Sequence, residues 1–263
     1  MSTNKAALLK ASNITVRFGG LKAVDDVSLQ VYPGELLGLI GPNGAGKTTF
    51  IRAITGVVRP NAGQIWLDGE SLNGLPIHQR IRKGLGLSQQ LVRPFREINL
   101  LDNVALAAGL SHTRWPMKAL LHTSSEHERQ IALKMLERVG IADYAKQMPG
   151  IQPLGVLKRM EVARALALSP RLLLLDEPLA GLNSREATTL ANTIAELNQQ
   201  GATIILIEHN LREVMRICQR LVVLDNGRHI GEGEPQEVMS RANVRAAYLG
   251  TPANHESTEA GHA

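Results

Sequence analysis

Leu36-Leu-Gly-Leu-Ile-Gly41-Pro-Asn-Gly-Ala-Gly46-Lys47-Thr48-Thr49 is the stretch on which the reading of this sequence turns. Leu36 to Ile40 is an apolar run of strand length, preceded by a turn signal at Tyr32-Pro33-Gly34-Glu35. It passes straight into Gly41 to Thr48, which fits the pattern G-x-x-x-x-G-K-[ST]. Thr48 to Thr55 then reads as a short helix stopped by Gly56. Glycines let backbone N–H groups wrap a phosphate, and the helix N-terminus adds positive potential. Lys47 supplies a cation for β- and γ-phosphate charge, and the Thr48 hydroxyl is a ligand for Mg²⁺. Gly41, Pro42, Asn43, Gly44, Ala45, Gly46, Lys47, Thr48 and Thr49 are therefore the candidate nucleotide-binding residues.

Upstream of this element the chain reads as β structure over Leu8 to Phe18 and Val24 to Val31, and downstream Gly63-Gln-Ile-Trp-Leu-Asp-Gly returns as a strand. A helical block interrupts the strands at Leu100 to Leu110 and Glu126 to Val139. The second of these carries Ile131, Met135, Leu136 and Val139 on one face and Gly140 as its stop. From Leu157 onward helices and strands alternate, which predicts an α/β fold with a mostly parallel sheet flanked by helices. Asp225-Asn226-Gly227 is a hairpin turn signal, and Pro235 suits the first turn of a closing helix. The polar, small-residue tail 251–263 is expected to be disordered. No internal repeat is evident.

Composition narrows the function classes. With 263 residues and 44% hydrophobic content the chain can bury a substantial core, but no apolar run reaches the 18 or so residues of a membrane span. Any link to a membrane is expected to run through a partner. The start, Met1-Ser-Thr-Asn-Lys, lacks the apolar stretch of a secretory signal, so a cytoplasmic location is expected. The single cysteine, Cys218, falls in a helical pattern and reads as core filler. The net charge of +5 is spread without a basic run and aromatics make up only 3%, which argues against a nucleic-acid partner.

Arg171-Leu-Leu-Leu-Leu-Asp176-Glu177 is a second chemical element, a buried strand ending in two carboxylates. Asp176 is placed to hold the Mg²⁺ shell, and Glu177 to orient or deprotonate an attacking water. With the phosphate loop, this pair and the Glu-Pro-Leu-Ala-Gly-Leu-Asn that follows Asp176, the chain resembles an ABC transporter ATPase from about residue 8 to residue 250. The resemblance implies a P-loop NTPase of ABC type over residues 6–250, with an N-terminal antiparallel β subdomain and an α-helical subdomain inserted at about 91–168. It implies ATP and Mg²⁺ as cofactors. It also implies Phe18 stacked on adenine, Gln90 reaching Mg²⁺ and the water (with Gln89 as its neighbouring competitor), and His209 contacting the γ-phosphate.

Two departures stand out against that pattern. Asn183 occupies a position where many members carry Asp, in the loop Ala180-Gly-Leu-Asn183 that crosses to the other subunit. The Leu-Ser-Gly-Gly-Gln element that members close on the opposite subunit's γ-phosphate aligns with Leu154-Gly-Val-Leu-Lys158. There Leu157 could obstruct backbone approach or Lys158 could add a charge contact. The mixture points to an asymmetric dimer in which this chain's phosphate loop works with an intact element on a second ATPase subunit.

Phe18-Gly-Gly-Leu-Lys-Ala-Val-Asp-Asp-Val-Ser, Ile207-Glu-His-Asn and Ala246-Ala-Tyr-Leu-Gly resemble the branched-chain amino acid uptake branch of the family. That resemblance implies an importer with two transmembrane permease subunits and an extracytoplasmic binding protein, this chain lying on the inner face of the plasma membrane. Amides, urea or other amino acids stay open as substrates. A weakly hydrolysing regulatory subunit and a soluble ATPase acting on nucleic acid or ribosomes are the competing classes. A GTPase is disfavoured because no Asn-Lys-x-Asp segment occurs.

Overall fold

The computed structural model describes residues 6–88, 92–112 and 126–249. Its strands are β1 (Leu9–Phe18), β2 (Leu21–Val31), β3 (Leu36–Ile40), β4 (Ala62–Leu67), β5 (Glu70–Ser71), β6 (Leu85–Ser88), β7 (Leu172–Asp176), β8 (Thr203–Ile207), β9 (Arg220–Asp225) and β10 (Arg228–Gly233). The helices are α1 (Lys47–Thr55), α2 (Ile77–Arg82), α3 (Leu100–His112), α4 (Glu126–Arg138), α5 (Leu154–Ala167), α6 (Ser184–Gln199), α7 (Leu211–Ile217), α8 (Pro235–Ser240) and α9 (Ala242–Leu249).

Two sheets form, with strand orders β2-β1-β4-β5 and β10-β9-β3-β8-β7-β6. The first is antiparallel. In the second, β9, β3, β8, β7 and β6 run parallel and β10 folds back antiparallel on the edge. Strand β3 lies near the middle and is buried at every residue. Its side chains alternate between two cores: Leu36 and Ile40 join the one built with α3 to α7, while Leu37 and Leu39 join Phe50 and Ile54 of α1 and the inner face of the first sheet. That two-sided burial is why the strand reads as an unbroken apolar run. On the α7 side Gly38 leaves no room for a side chain, since a Cβ there would stand 2.6 Å from Leu221 and 2.9 Å from Val214.

The expected elements form, with shifted ends. Helix α1 begins at Lys47, one residue early, and closes at Gly56 in a left-handed conformation (φ 84°). Helix α4 ends before Gly140 (φ 70°), where Ile141 N–H reaches back to Leu136 O at 2.9 Å. The Asp225-Asn226-Gly227 turn joins β9 to β10 with both central residues at positive φ, 46° and 75°, as a tight hairpin requires. Helix α5 starts at Leu154, three residues before the Leu157 from which the alternating pattern is read, with Pro153 as its extended N-cap residue. Cys218 is not within a helix: α7 ends at Ile217 and Cys218 takes an extended conformation beyond it, buried, with desolvation pushing its thiol pKa up to about 12. Helix α2 carries too short a pattern to be read from sequence, and α9 follows the expected closing helix α8 as a separate segment. The tail 251–263 lies outside the described residues.

Candidate functional site

The phosphate loop sits between the end of β3 and the start of α1, at the carboxyl edge of the parallel sheet where such folds place ligands. Gly46 is the N-cap of α1 with φ 95°, and a Cβ there would lie 2.3 Å from Ala23 O. A Cβ on Gly41 would meet Leu224 O at 2.1 Å. Glycine is therefore imposed by close main-chain approach as well as by dihedral angle. The loop is clipped in place by the hairpin turn: Gly227 N–H donates to Ala45 O at 3.1 Å, and Asp25 N–H donates to Gly227 O at 2.8 Å. Lys47 is 5% exposed, and its Nζ donates to Gly41 O (2.7 Å) and Pro42 O (2.9 Å). Burial lowers its pKa, opposed by the charges of Glu177 and Asp176.

Around the loop is an open cleft of about 610 Å³ lined by Phe18, Leu21 to Ala23, Asn43 to Thr49, Glu177, Asn226 and Gly227. Phe18 ends β1 and is 53% exposed, so its ring is an apolar face at the rim rather than a core side chain. The cleft offers a cradle of backbone N–H groups, a buried ammonium, an exposed aromatic face and a carboxylate, the parts required to grip a nucleotide and act on its phosphates.

Asp176 closes β7, paired with Ile207 of β8, and Glu177 N–H continues that pairing to Ile207 O at 2.9 Å. Glu177 holds a left-handed backbone, φ 48°, uncommon for a residue with a side chain. The pKa of Asp176 is raised by burial first and by Glu177 second, while Arg52, Lys47 and Lys158 pull it back. Its Oδ1 is buried with no hydrogen-bond partner among the described residues. A buried carboxylate oxygen left without a proton donor, with a threonine hydroxyl at the head of the neighbouring α1, is a hard-oxygen donor set that fits Mg²⁺.

A family model described as ABC transporter matches residues 24–180, which spans the phosphate loop, the helical block and the acidic strand end. The chain belongs to the ABC transporter family. It is an ATP-binding, ATP-hydrolysing subunit of a transporter. Over 249 residues it is 39% identical to the high-affinity branched-chain amino acid transport ATP-binding protein LivG of Escherichia coli K12, covering 92% of this chain and 98% of LivG. It is also 34% identical over 244 residues to the lipopolysaccharide export system ATP-binding protein LptB of the same organism, covering 93% and 98%. The ADP conformation of an ATP-binding cassette of an ABC transporter superposes with a TM-score of 0.83 at 29% identity, covering 94% of this chain and all of that one.

The remaining positions implied by the ABC resemblance fall unevenly on the structure. Gln90 and Gln89 lie outside the described residues, just past β6, whose Ser88 pairs with Leu175 of β7. His209 follows β8 at the same edge of the sheet, but its side chain is 59% exposed and does not line the cleft. Asn183 is the N-cap of α6: its side chain accepts from Glu186 N–H (2.9 Å) and Glu186 Oε2 accepts from Asn183 N–H (3.1 Å), so the amide makes the full reciprocal cap a carboxylate would make. At the departing segment, Lys158 is turned inward, 4% exposed, with Nζ donating to Glu177 O at 3.1 Å.

Several residues that matter here carry no sequence signal of their own. Asn226 and Gly227 announce a turn, yet nothing in a turn motif says that it will hold the phosphate loop. Arg80, 3% exposed, donates to Ala53 O, Ile54 O and Leu75 O and so satisfies the carbonyl end of α1. Glu208, fully buried, accepts from Leu179 N–H (2.6 Å) and His209 N–H (3.2 Å).

Proposed function

We propose that this chain powers an importer of branched-chain or related amino acids, and that ATP and Mg²⁺ act at the cleft around Gly41 to Thr49. The observation that carries the reading is the convergence of the phosphate loop, Phe18 and Glu177 on one cleft, in a chain that matches LivG over nearly its whole length. Phe18 stacks on the adenine, Lys47 and the loop N–H groups bind the β- and γ-phosphates, and Glu177 positions the attacking water; His209, which follows β8 outside the cleft lining, is assigned to the γ-phosphate from the family resemblance alone. Thr48, Asp176 and Gln90 would hold Mg²⁺, which when bound neutralises phosphate charge.

In this reading residues 6–250 form one ATPase domain with the helical subdomain at about 91–168, paired with a second ATPase subunit and seated on two transmembrane permease subunits at the inner face of the membrane. An extracytoplasmic binding protein delivers the amino acid. No described helix is long and apolar enough to cross a membrane, so the attachment runs through those partners. Lys158 is turned inward onto Glu177 O within its own chain, away from the contact with a partner's phosphate that its position in the Leu154–Lys158 segment suggests. This supports an asymmetric dimer in which the composite site using that segment turns over more slowly, the second reading being a chain whose main role is regulatory.

Lys47→Ala is expected to lose nucleotide binding or turnover, while Glu177→Gln keeps ATP binding, loses turnover and accumulates a closed dimer. Normal hydrolysis by Glu177→Gln would remove Glu177 from the role. The permease and binding subunits that copurify with this chain test the substrate class: recovery with lipopolysaccharide-export components, as for LptB, would overturn the import assignment.

A further inference from the structure

Lys158 is the fifth residue of α5, on a helix that also buries the apolar residues Val156, Met160 and Val162. An ammonium is enclosed there at 4% exposure, against the strong preference of lysine for water. Burial lowers its pKa, and the carboxylates of Glu208, Glu177, Glu161 and Asp176 act against that shift. Its Nζ donates to the carbonyl of Glu177, the residue at positive φ. A side-chain-bearing residue stays in that conformation only where its surroundings over-determine it.

Among the described residues four bonds do so here. Glu177 N–H is held by Ile207 O (2.9 Å) and Ala180 N–H closes the turn on Glu177 O (3.2 Å). Leu179 N–H donates to the buried carboxylate of Glu208 (2.6 Å), and Lys158 donates to Glu177 O from α5 (3.1 Å). Two of the four come from buried charged side chains on different elements. The other oxygen of Glu208 takes the N–H of His209, so the same carboxylate fixes the chain on both β7 and β8 where they leave the sheet.

We propose that Lys158 and Glu208 are positioning residues for hydrolysis, which lock the backbone of Glu177 so that its carboxylate meets the attacking water. The inference rests on the assignment of Glu177 as the water-positioning group. Misplacing such a group by a fraction of a bond length slows the chemical step while leaving ground-state binding intact. The signature is therefore a loss in kcat with little change in KM, exerted through Glu177 and absent when Glu177 cannot act.

The test is steady-state ATP hydrolysis by the full chain in the transporter complex that copurifies with it, normalised to the ATP-binding sites titrated in each preparation. Lys158→Met and Glu208→Gln are each expected to lower kcat on the order of 10- to 100-fold with KM for ATP within about threefold. In a Glu177→Gln background, Lys158→Met should lower the residual rate no further. If Lys158→Met does not fold, Lys158→Gln carries the same measurement. A Glu177→Gln complex that hydrolyses at the parental rate would remove the underlying assignment. An inactive Glu177→Gln alongside a Lys158 variant of parental kcat, or a Lys158→Met loss that is undiminished in the Glu177→Gln background, would overturn the positioning role alone.

Discussion

Gly44 and Gly46 stand two residues apart in one loop with similar dihedral angles, φ 81° and 95°, yet their surroundings differ completely. A Cβ at Gly44 meets nothing within 4 Å, whereas one at Gly46 meets the Ala23 carbonyl oxygen at 2.3 Å. For Gly44→Ala the left-handed conformation costs about 1 kcal/mol, and the restricted unfolded chain returns about 0.4–1 kcal/mol of it. The net change is close to zero. Gly46→Ala has the same conformational cost and adds an overlap with backbone of roughly 1 Å, where overpacking costs about 1–3 kcal/mol. On the same near-zero conformational net, the overlap leaves a total of about 1–3 kcal/mol, which in a chain of this size corresponds to a fall in Tm of roughly 3–9 °C. Thermal unfolding of the three proteins without nucleotide should thus place Gly44→Ala within about 2 °C of the parent and Gly46→Ala well below it. Equal shifts for the two variants would refute the argument that main-chain contact, rather than dihedral angle, fixes this loop.

Asp176→Asn should raise the stability of the nucleotide-free protein at neutral pH while abolishing turnover, because the parent carboxylate is buried with an unpartnered oxygen and a raised pKa. A group whose folded pKa is raised contributes stability below its unfolded pKa and loses it as pH rises through the folded one. The gain in Tm should therefore shrink as pH falls toward the carboxylate range, and a gain that grows on acidification would contradict it. Arg80→Met removes the donor from two buried carbonyls and one half-buried one and should lower stability by about 2–4 kcal/mol, read by chemical denaturation. Cys218, with its thiol pushed up to about 12 and buried, should resist alkylation in the native state and react only at the rate of unfolding.

The phosphate loop could be read from the sequence because its chemistry is local: the glycines, Lys47, Thr48 and the flanking strand and helix are contiguous. Asp176 and Glu177 were legible for a similar reason, since a strand of four leucines ends on them. Legibility failed where the contact partner lies on another element. Lys158 reads as a candidate charge contact for a partner's phosphate, and only its bond to Glu177 O, just beyond β7, shows it to be turned inside. Glu208 sits in Ile-Glu-His-Asn, a strand end like many others, and its two backbone partners belong to different segments. The short α2 offers too little periodicity for any pattern to emerge, although its Arg80 caps the helix that carries Lys47.

The position of β3 in the central sheet bears on how the protein comes off the ribosome. Its two neighbours are β8 and β9, so a strand made within the first 40 residues waits for roughly 180 more before it is paired on both sides. At synthesis rates of about 5–20 residues per second that interval is on the order of ten to forty seconds. During it, Leu36 to Ile40 remain an open, fully apolar template for the wrong strand, and the phosphate loop beyond them has no Gly227 to hold it. Nascent chains stalled before and after Arg220 should accordingly differ sharply in protease resistance and in their capture by chaperones, with the ability to bind ATP arriving only at the end of translation.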